Sequence, residues 1–118
     1  MLKLYGYMKC GTCRKAIKWL DNHGVAYTFI DITEEPPTPA LLRGILAEGR
    51  YGLRQLFNTS GVLYREMGIK TKLAEGMSKK EAIALLGNHG KLVKRPIVTD
   101  GKTTTVGFSE PVFAEAWG

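Results

Sequence analysis

Two cysteines, Cys10 and Cys13, are separated by two residues and directly follow a short apolar run that ends at Tyr7. A helical pattern begins with them, because Cys13 and the next apolar residues recur at spacings of three and four. This pattern predicts that Cys10 lies near the N-cap of a helix and that Cys13 lies about one turn further along. Two thiols at this spacing can form and break a disulfide across the first turn, which is redox chemistry.

The start of the predicted helix favours a negative charge on Cys10. The first helical turn has free N–H groups and a partial positive charge, which lower the pKa of a thiol placed there. Residues 1–20 contain no acidic side chain, and the basic residues Lys9 and Arg14 flank the pair. We therefore predict that Cys10 is an exposed, nucleophilic thiolate. Cys13 faces the apolar side of the helix, so we predict that it is the buried, resolving thiol.

Other uses of a Cys-x-x-Cys pair fit this chain less well. A zinc site needs about four ligands, but the chain has only two cysteines, and His23 and His89 are far apart. No metal site is predicted. A purely structural disulfide would close too small a loop to stabilise the fold much. The alternative that stays open is a pair of buried, inert thiols.

The composition is that of one globular domain. The chain has 118 residues, of which 44% are hydrophobic, and this is enough for one core. No apolar run approaches membrane-spanning length, no signal peptide precedes the first strand, and two cysteines make no disulfide framework, so we expect a cytoplasmic protein without membrane contact. The net charge of +6 favours anionic partners, but without a recognition motif direct binding of nucleic acid is not expected.

The order of predicted elements is β-α-β, then helices, then β-β-α. The first three elements form a right-handed unit with two parallel strands, and Asp100-Gly101 predicts the turn of a hairpin near the C-terminus. In chain order, the predicted elements outside the middle region are strands over residues 2–7 and 25–32 around a helix over 11–22, strands over 96–99 and 103–106, and a helix over 110–117 that Ser109 can cap.

The middle of the chain, from residue 33 to about 90, carries no strand signal and predicts helices. Thr38 can cap the first of them, and Ser78 with Glu81 forms a capping box for the last. We therefore predict a single α/β domain over residues 1–118. It is thioredoxin-like, with a four-stranded mixed sheet and a helical insertion between its halves. The predicted helices of the insertion cover residues 39–48, 53–57, 62–67 and 79 to about 86.

The chain resembles the arsenate reductase C / Spx family (ArsC-like) over nearly its whole length, and four separated segments carry the resemblance. In chain order they are CGTCRKA at residues 10–16, FNTSG at 57–61, YRE at 64–66 and KRPI at 94–97. The chain resembles the small uncharacterised bacterial members of that family more than its named enzymes. The resemblance implies a thioredoxin fold and thiol chemistry.

The resemblance also implies roles for individual residues. Cys10 matches the family's nucleophilic cysteine, and Cys13 matches the second, redox-switch cysteine of Spx-type regulators. Arg95 matches the arginine of the Arg-Pro motif and would offer its donors to an oxyanion or a carboxylate, the alternative being a surface ion pair. Pro96 matches a proline held in cis beside the active cysteine. The predicted anion-binding set comprises Lys9, Gly11, Thr12, Arg14, Asn58 and Pro96.

Two departures from the family pattern argue against arsenate reduction. Glutaredoxin-coupled arsenate reductases use three arginines around the cysteine, and the corresponding positions here are Asn58, Arg95 and, near the third, Gly107. An arsenate dianion would therefore lose two bidentate partners. For this reason we expect weak or absent arsenate reductase activity.

Three functions are compatible with these residues. The first is a thiol–disulfide oxidoreductase that uses glutathione or a protein thiol as its partner and holds no bound cofactor. The second, implied by the resemblance, is an Spx-like redox sensor that binds the C-terminal domain of the RNA polymerase α-subunit. In such regulators the contact depends on a mid-chain glycine, for which Gly49 or Gly52 is the counterpart here. The third is a vestigial family member with reactive cysteines and no turnover.

Overall fold

The computed structural model describes residues 2–118, which form four strands, six α-helices and two 3₁₀ turns. The 3₁₀ turns lie at Leu53–Leu56 and Gly90–Leu92. In chain order, the strands and α-helices are β1 (Leu2–Gly6), α1 (Gly11–Asn22), β2 (Tyr27–Asp31), α2 (Pro39–Ala47), α3 (Val62–Glu66), α4 (Ile69–Ala74), α5 (Lys79–Asn88), β3 (Ile97–Thr99), β4 (Thr104–Val106) and α6 (Glu110–Trp117).

The chain divides into two compact units. One consists of residues 2–31 with 95–118, and the other of residues 32–94. The first unit contains a four-stranded sheet in the order β2-β1-β3-β4, in which β1 and β2 are parallel and the other two pairs are antiparallel. The α/β class, the mixed sheet and the helical region between its halves in the sequence are thus as predicted. The single domain stays a prediction.

The core of the first unit explains the position of α1. Leu4 of β1 and Val98 of β3 are fully buried, and Leu20 of α1 and Phe113 of α6 join them in one cluster. The Trp19 and Phe113 rings form a T-shaped pair with centroids 5.4 Å apart. Burial of these large side chains contributes about 2 kcal/mol each before entropy is counted, so α1 and α6 are both fixed against the sheet.

The second unit is helical, as the capping signals predict. The Thr38 hydroxyl accepts the N–H of Leu41 at 3.2 Å, and the Ser78 hydroxyl accepts the N–H of Glu81 at 3.1 Å. These bonds satisfy N–H groups at the starts of α2 and α5, which pack against each other through apolar faces. The buried residues of these two helices are Leu42, Ile45, Ala82, Ile83 and Leu86.

Three local predictions are wrong in detail. The second strand begins at Tyr27 rather than residue 25, because the N–H of Val25 is bound to the Leu20 carbonyl in the turn that closes α1. Helix α4 was not predicted: Gly68 ends α3 in the left-handed conformation, with φ of 61°, and a new helix starts directly after it. Ser109 occupies the N-cap of α6, but its side chain makes no capping hydrogen bond.

Within residues 2–118, no helix is both long and apolar enough to cross a membrane.

Candidate active site around Cys10

Cys10 occupies the N-cap position of α1, as predicted. Its backbone is extended, with φ of −85° and ψ of 121°, and its carbonyl accepts the N–H of Arg14 at 3.1 Å. Its own N–H donates to the Tyr7 carbonyl at 2.9 Å, which turns the chain after β1. The residue is half-buried at the entrance of the helix.

The surroundings of Cys10 favour its thiolate. Partial burial alone would raise the pKa of Cys10, but hydrogen bonds outweigh burial. In order of importance, they come from the main chain and side chain of Cys13, from the side chain of Arg95 and from the main chain of Thr12. The pKa of Cys10 is therefore held below its ordinary value of 9.0.

Cys13 is fully buried, and its chemistry is opposite to that of Cys10. Burial raises the pKa of Cys13 to about 12, and a hydrogen bond to Cys10 together with the charge of Cys10 adds to this effect. The N–H of Tyr7 donates to the Cys13 sulfur at 3.5 Å. Gly6 makes room for this sulfur, because a Cβ at residue 6 would lie 3.3 Å from it and 2.9 Å from Leu4 Cδ2. Both cysteines are free thiols.

Arg95 supplies a cation with unused donors. The side chain is half-buried, and its Nε and Nη1 atoms are inaccessible to solvent without a hydrogen-bond partner among the described residues. The guanidinium carbon lies 5.3 Å from the centroid of the Tyr7 ring. A buried donor without a partner is costly, and the guanidinium charge beside Cys10 favours an anion at this place. The Arg95–Pro96 peptide bond is cis, as predicted.

The structure brings only part of the predicted site set together. Thr12 and Arg95 contribute hydrogen bonds to Cys10, whereas the side chains of Lys9 and Arg14 are exposed. Asn58 lies in the second unit, where its N–H donates to the Leu92 carbonyl at 2.7 Å. Its role in binding an anion stays a prediction, as do the roles of Lys9, Gly11, Arg14 and Pro96.

Gly107 and His23, two further positions that the sequence raises, are held by local contacts. Gly107 is buried with φ of 78° and donates its N–H to the Pro96 carbonyl at 2.8 Å, so the backbone there disfavours an arginine. His23 stacks on Trp19, with its Nδ1 2.8 Å from the Trp19 carbonyl. Over residues 2–118, no group of three or more His, Cys, Asp or Glu side chains could hold a metal ion.

Tyr7 belongs to the site, although the sequence pattern does not identify it as a site residue. Its carbonyl contacts the N–H of Cys10, its N–H contacts Cys13, and its ring lies against Arg95. An aromatic residue three positions before the nucleophile was the only signal in the sequence. The same residue also fits the end of the first strand, and its partner Arg95 is distant in the chain.

The fold and the site together define a class. A β-α-β…β-β-α sheet, with a Cys-x-x-Cys pair at the start of its first helix and a cis-proline before its third strand, is a thioredoxin-like fold. The comparisons with known proteins identify the family within that class, because the sequence profile of the ArsC family matches residues 5–116. The chain belongs to the ArsC family.

Individual relatives support this assignment. The chain is 47% identical over 116 residues to the uncharacterized protein YusI of Bacillus subtilis, covering 98% of each protein. It is 30% identical over 110 residues to the global transcriptional regulator Spx 1 of Lactococcus lactis, covering 93% of this chain and 84% of that protein. A crystal structure described as an ArsC family related protein of Bacteroides fragilis superposes with a TM-score of 0.90 at 37% identity, covering 97% of this chain and 95% of that one.

Proposed function

We propose that this protein is a thiol–disulfide redox protein, in which Cys10 is the nucleophile and Cys13 is the resolving thiol. The observation that carries the proposal is the opposite perturbation of two thiols within one helical turn. The pKa of Cys10 is lowered, while burial raises that of Cys13 to about 12. Around neutral pH, this difference makes Cys10 the thiolate that attacks first and keeps Cys13 protonated until the second step.

The first step is attack of the Cys10 thiolate on one sulfur of a substrate disulfide. A new S–S bond forms between Cys10 and that sulfur, the substrate S–S bond breaks, and the second substrate sulfur leaves as a thiolate. The substrate then carries one reduced thiol and one sulfur in a mixed disulfide. Arg95 lies beside the reacting sulfur and would stabilise negative charge on the substrate.

The second step requires Cys13 to lose its proton. In the mixed disulfide, Cys10 carries no charge, so its charge and its hydrogen bond no longer raise the pKa of Cys13. Burial, the largest cause of the shift, persists, and a base from solvent or the leaving substrate takes the proton. The Cys13 thiolate then attacks the Cys10 sulfur, and the substrate leaves as its second thiol. Two electrons have passed to the substrate, and a Cys10–Cys13 disulfide remains.

Glutathione or a protein dithiol is the proposed reductant of that disulfide, and no bound cofactor is required. Two glutathione molecules would regenerate both thiols and form one oxidised glutathione. Glutathione carries two carboxylates, which are suitable anions for the positive charge of Arg95 beside Cys10. Arsenate is not the proposed substrate, because the family resemblance aligns two of the three arginines of arsenate reductases with Asn58 and with a position near Gly107.

Trapping the mixed disulfide tests this proposal. With oxidised glutathione, the Cys13→Ser variant should accumulate a glutathione adduct on Cys10, because no second thiol can displace it. The wild-type protein should instead pass on to an internal disulfide, and Cys10→Ser should form no adduct. Intact-mass and peptide-level mass spectrometry distinguish these species. A Cys13→Ser protein that forms no adduct, or a wild-type protein that never forms the internal disulfide, would contradict the proposal.

A second candidate function is an Spx-like redox-sensing regulator. The relative named global transcriptional regulator Spx 1 favours it, as does the shared Cys-x-x-Cys pair implied by the family resemblance. The polymerase contact of such regulators would fall on Gly52 more readily than on Gly49. Gly52 is exposed with a φ of −92°, whereas Gly49 has a positive φ of 77°, which any other residue would adopt with strain.

A pull-down with the C-terminal domain of the RNA polymerase α-subunit tests the regulator function. If it is correct, the reduced and oxidised proteins should retain the domain to different extents, and Gly52→Arg should lose binding by tenfold or more, about 1.4 kcal/mol. A Cβ at residue 52 meets only Gln55 Oε1, at 3.9 Å, so this variant should fold. Gly44→Arg is the matched control, since it adds the same charge at an exposed, open position of α2. Absence of binding in both redox states would remove this candidate.

A further inference from the structure

We infer that Tyr7 is a positioning residue, whose ring holds the Arg95 guanidinium beside Cys10 and thereby selects substrates that carry a negative charge next to the reacting sulfur. This inference rests on the proposed function. The guanidinium carbon lies 5.3 Å from the Tyr7 ring centroid, and Arg95 also donates a hydrogen bond to Cys10. Tyr7 therefore lies against the cation that stabilises the nucleophile.

The way in which Arg95 is held matters for what it can bind. An arginine side chain loses about 2 kcal/mol of rotamer entropy when it is fixed, so it needs a support. A carboxylate would provide one, but it would consume N–H donors and neutralise the charge. An aromatic face supports the guanidinium and leaves its donors and its charge available. The unpartnered Nε and Nη1 atoms of Arg95 are consistent with this second kind of support.

The backbone of Tyr7 fixes the ring relative to both thiols. The Tyr7 carbonyl accepts the N–H of Cys10 at 2.9 Å, and the Tyr7 N–H donates to the Cys13 sulfur at 3.5 Å. These two contacts use only main-chain atoms of residue 7, so a change of side chain leaves them in place. The contribution of the ring can therefore be separated from the local geometry of the Cys-x-x-Cys turn.

Two alkylating reagents that differ in charge test the inference without a natural substrate. Iodoacetate is an anion and iodoacetamide is neutral, and both react with the same Cys10 thiolate. The ratio of their rate constants at one pH cancels the thiolate fraction and reports attraction of the anion. Arg95→Gln should lower this ratio about tenfold. Tyr7→Leu should lower it about three- to tenfold, in line with a partly desolvated cation–π contact, and Tyr7→Phe should keep it within about twofold of wild type.

A double variant separates positioning from an independent effect of the ring. If Tyr7 acts through Arg95, then Tyr7→Leu in the Arg95→Gln background should change the ratio no further. Tyr7→Met is the second non-aromatic variant, and circular dichroism and peptide mapping verify that each protein folds and reacts at Cys10. An unchanged ratio in both non-aromatic variants, or an equal further loss in the double variant, would overturn the inference.

The experimental result for Tyr7 can be distinguished from the result for the proposed function. The alkylation ratio depends on the charges beside Cys10 and not on turnover. If no glutathione adduct can be trapped but the ratio falls in Tyr7→Leu, the redox function fails and the positioning role stands. If the adduct forms and the ratio is unaffected by removing the ring, the positioning role fails alone.

Discussion

At neutral pH, iodoacetamide should modify Cys10 of the folded protein at least about a hundredfold faster than Cys13. The pKa of Cys13 is about 12 and that of Cys10 lies below 9.0, so their thiolate fractions differ by more than about a thousandfold. The more acidic thiolate is intrinsically the weaker nucleophile, which offsets about 20–30-fold of this difference. Full burial of Cys13 restores the selectivity, because the reagent must reach a sulfur with no exposed surface.

The pH dependence of the same reaction identifies the cause. The alkylation rate of Cys10 should rise with pH and reach its half-maximum below pH 9.0, because the thiolate is the reacting form. Arg95→Gln and Cys13→Ala should each move this midpoint upward, since each removes a hydrogen bond to the thiolate. Arg14→Gln is the matched control: it removes the same charge from an exposed side chain one turn into α1 and should move the midpoint much less.

Peptide mapping by mass spectrometry after timed quenching gives both rate constants from one experiment. Equal labelling of the two cysteines, or a Cys10 midpoint at pH 9 or above, would contradict the oxidoreductase proposal. It would also contradict the redox-sensing alternative, because both require a thiolate at Cys10. A Cys10 alkylation midpoint at about pH 9, together with strong selectivity for Cys10, would mean that burial of Cys13 is the only difference between the two thiols.

The features that local sequence determines were predicted well. Helix α1 begins and ends at the predicted residues, because its apolar spacing is regular and Gly24 supports its C-terminal turn with φ of 66°. Cys10 at the N-cap and Cys13 inside the core follow from the same spacing. The hairpin turn is also local, since the Asp100 carboxylate accepts the N–H groups of Lys102 and Thr103 at 2.8 and 2.7 Å.

Features that depend on contacts between distant residues could not be read from the sequence. Gly90 is buried with its backbone against the carbonyl of Ile32, where a Cβ has no space, and no local pattern around residue 90 indicates this contact. The ring of Tyr7 is important because Arg95 lies against it, and nothing within either segment predicts that pairing. Helix α4 was missed because Gly68 can equally end a helix or join two of them.

The wild-type protein in its reduced form should lose about 2 kcal/mol of unfolding free energy between pH 8 and pH 10.5, and Cys13→Ser should not show this part of the loss. Cys13 has its pKa raised from 9.0 to about 12 on folding. Its contribution to stability is therefore fully present below pH 9 and is lost as pH rises towards 12. In that range, the unfolded chain releases a proton that the folded protein keeps, which lowers stability by about 1.4 kcal/mol per pH unit.

The two cysteines have opposite effects on this pH dependence. Because folding lowers the pKa of Cys10, its contribution grows up to about pH 9 and is constant above it, so it adds no alkaline loss. Urea denaturation under reducing conditions measures the difference between wild type and Cys13→Ser, in which other alkaline groups such as Tyr27 cancel. Cys10→Ser is the matched control and should retain the loss, because burial, the largest cause of the Cys13 shift, is unchanged. Parallel pH profiles for wild type and Cys13→Ser would show that Cys13 ionises in the folded protein as readily as in the unfolded chain. That result would contradict the proposed role of Cys13 as the thiol that stays protonated until the second step.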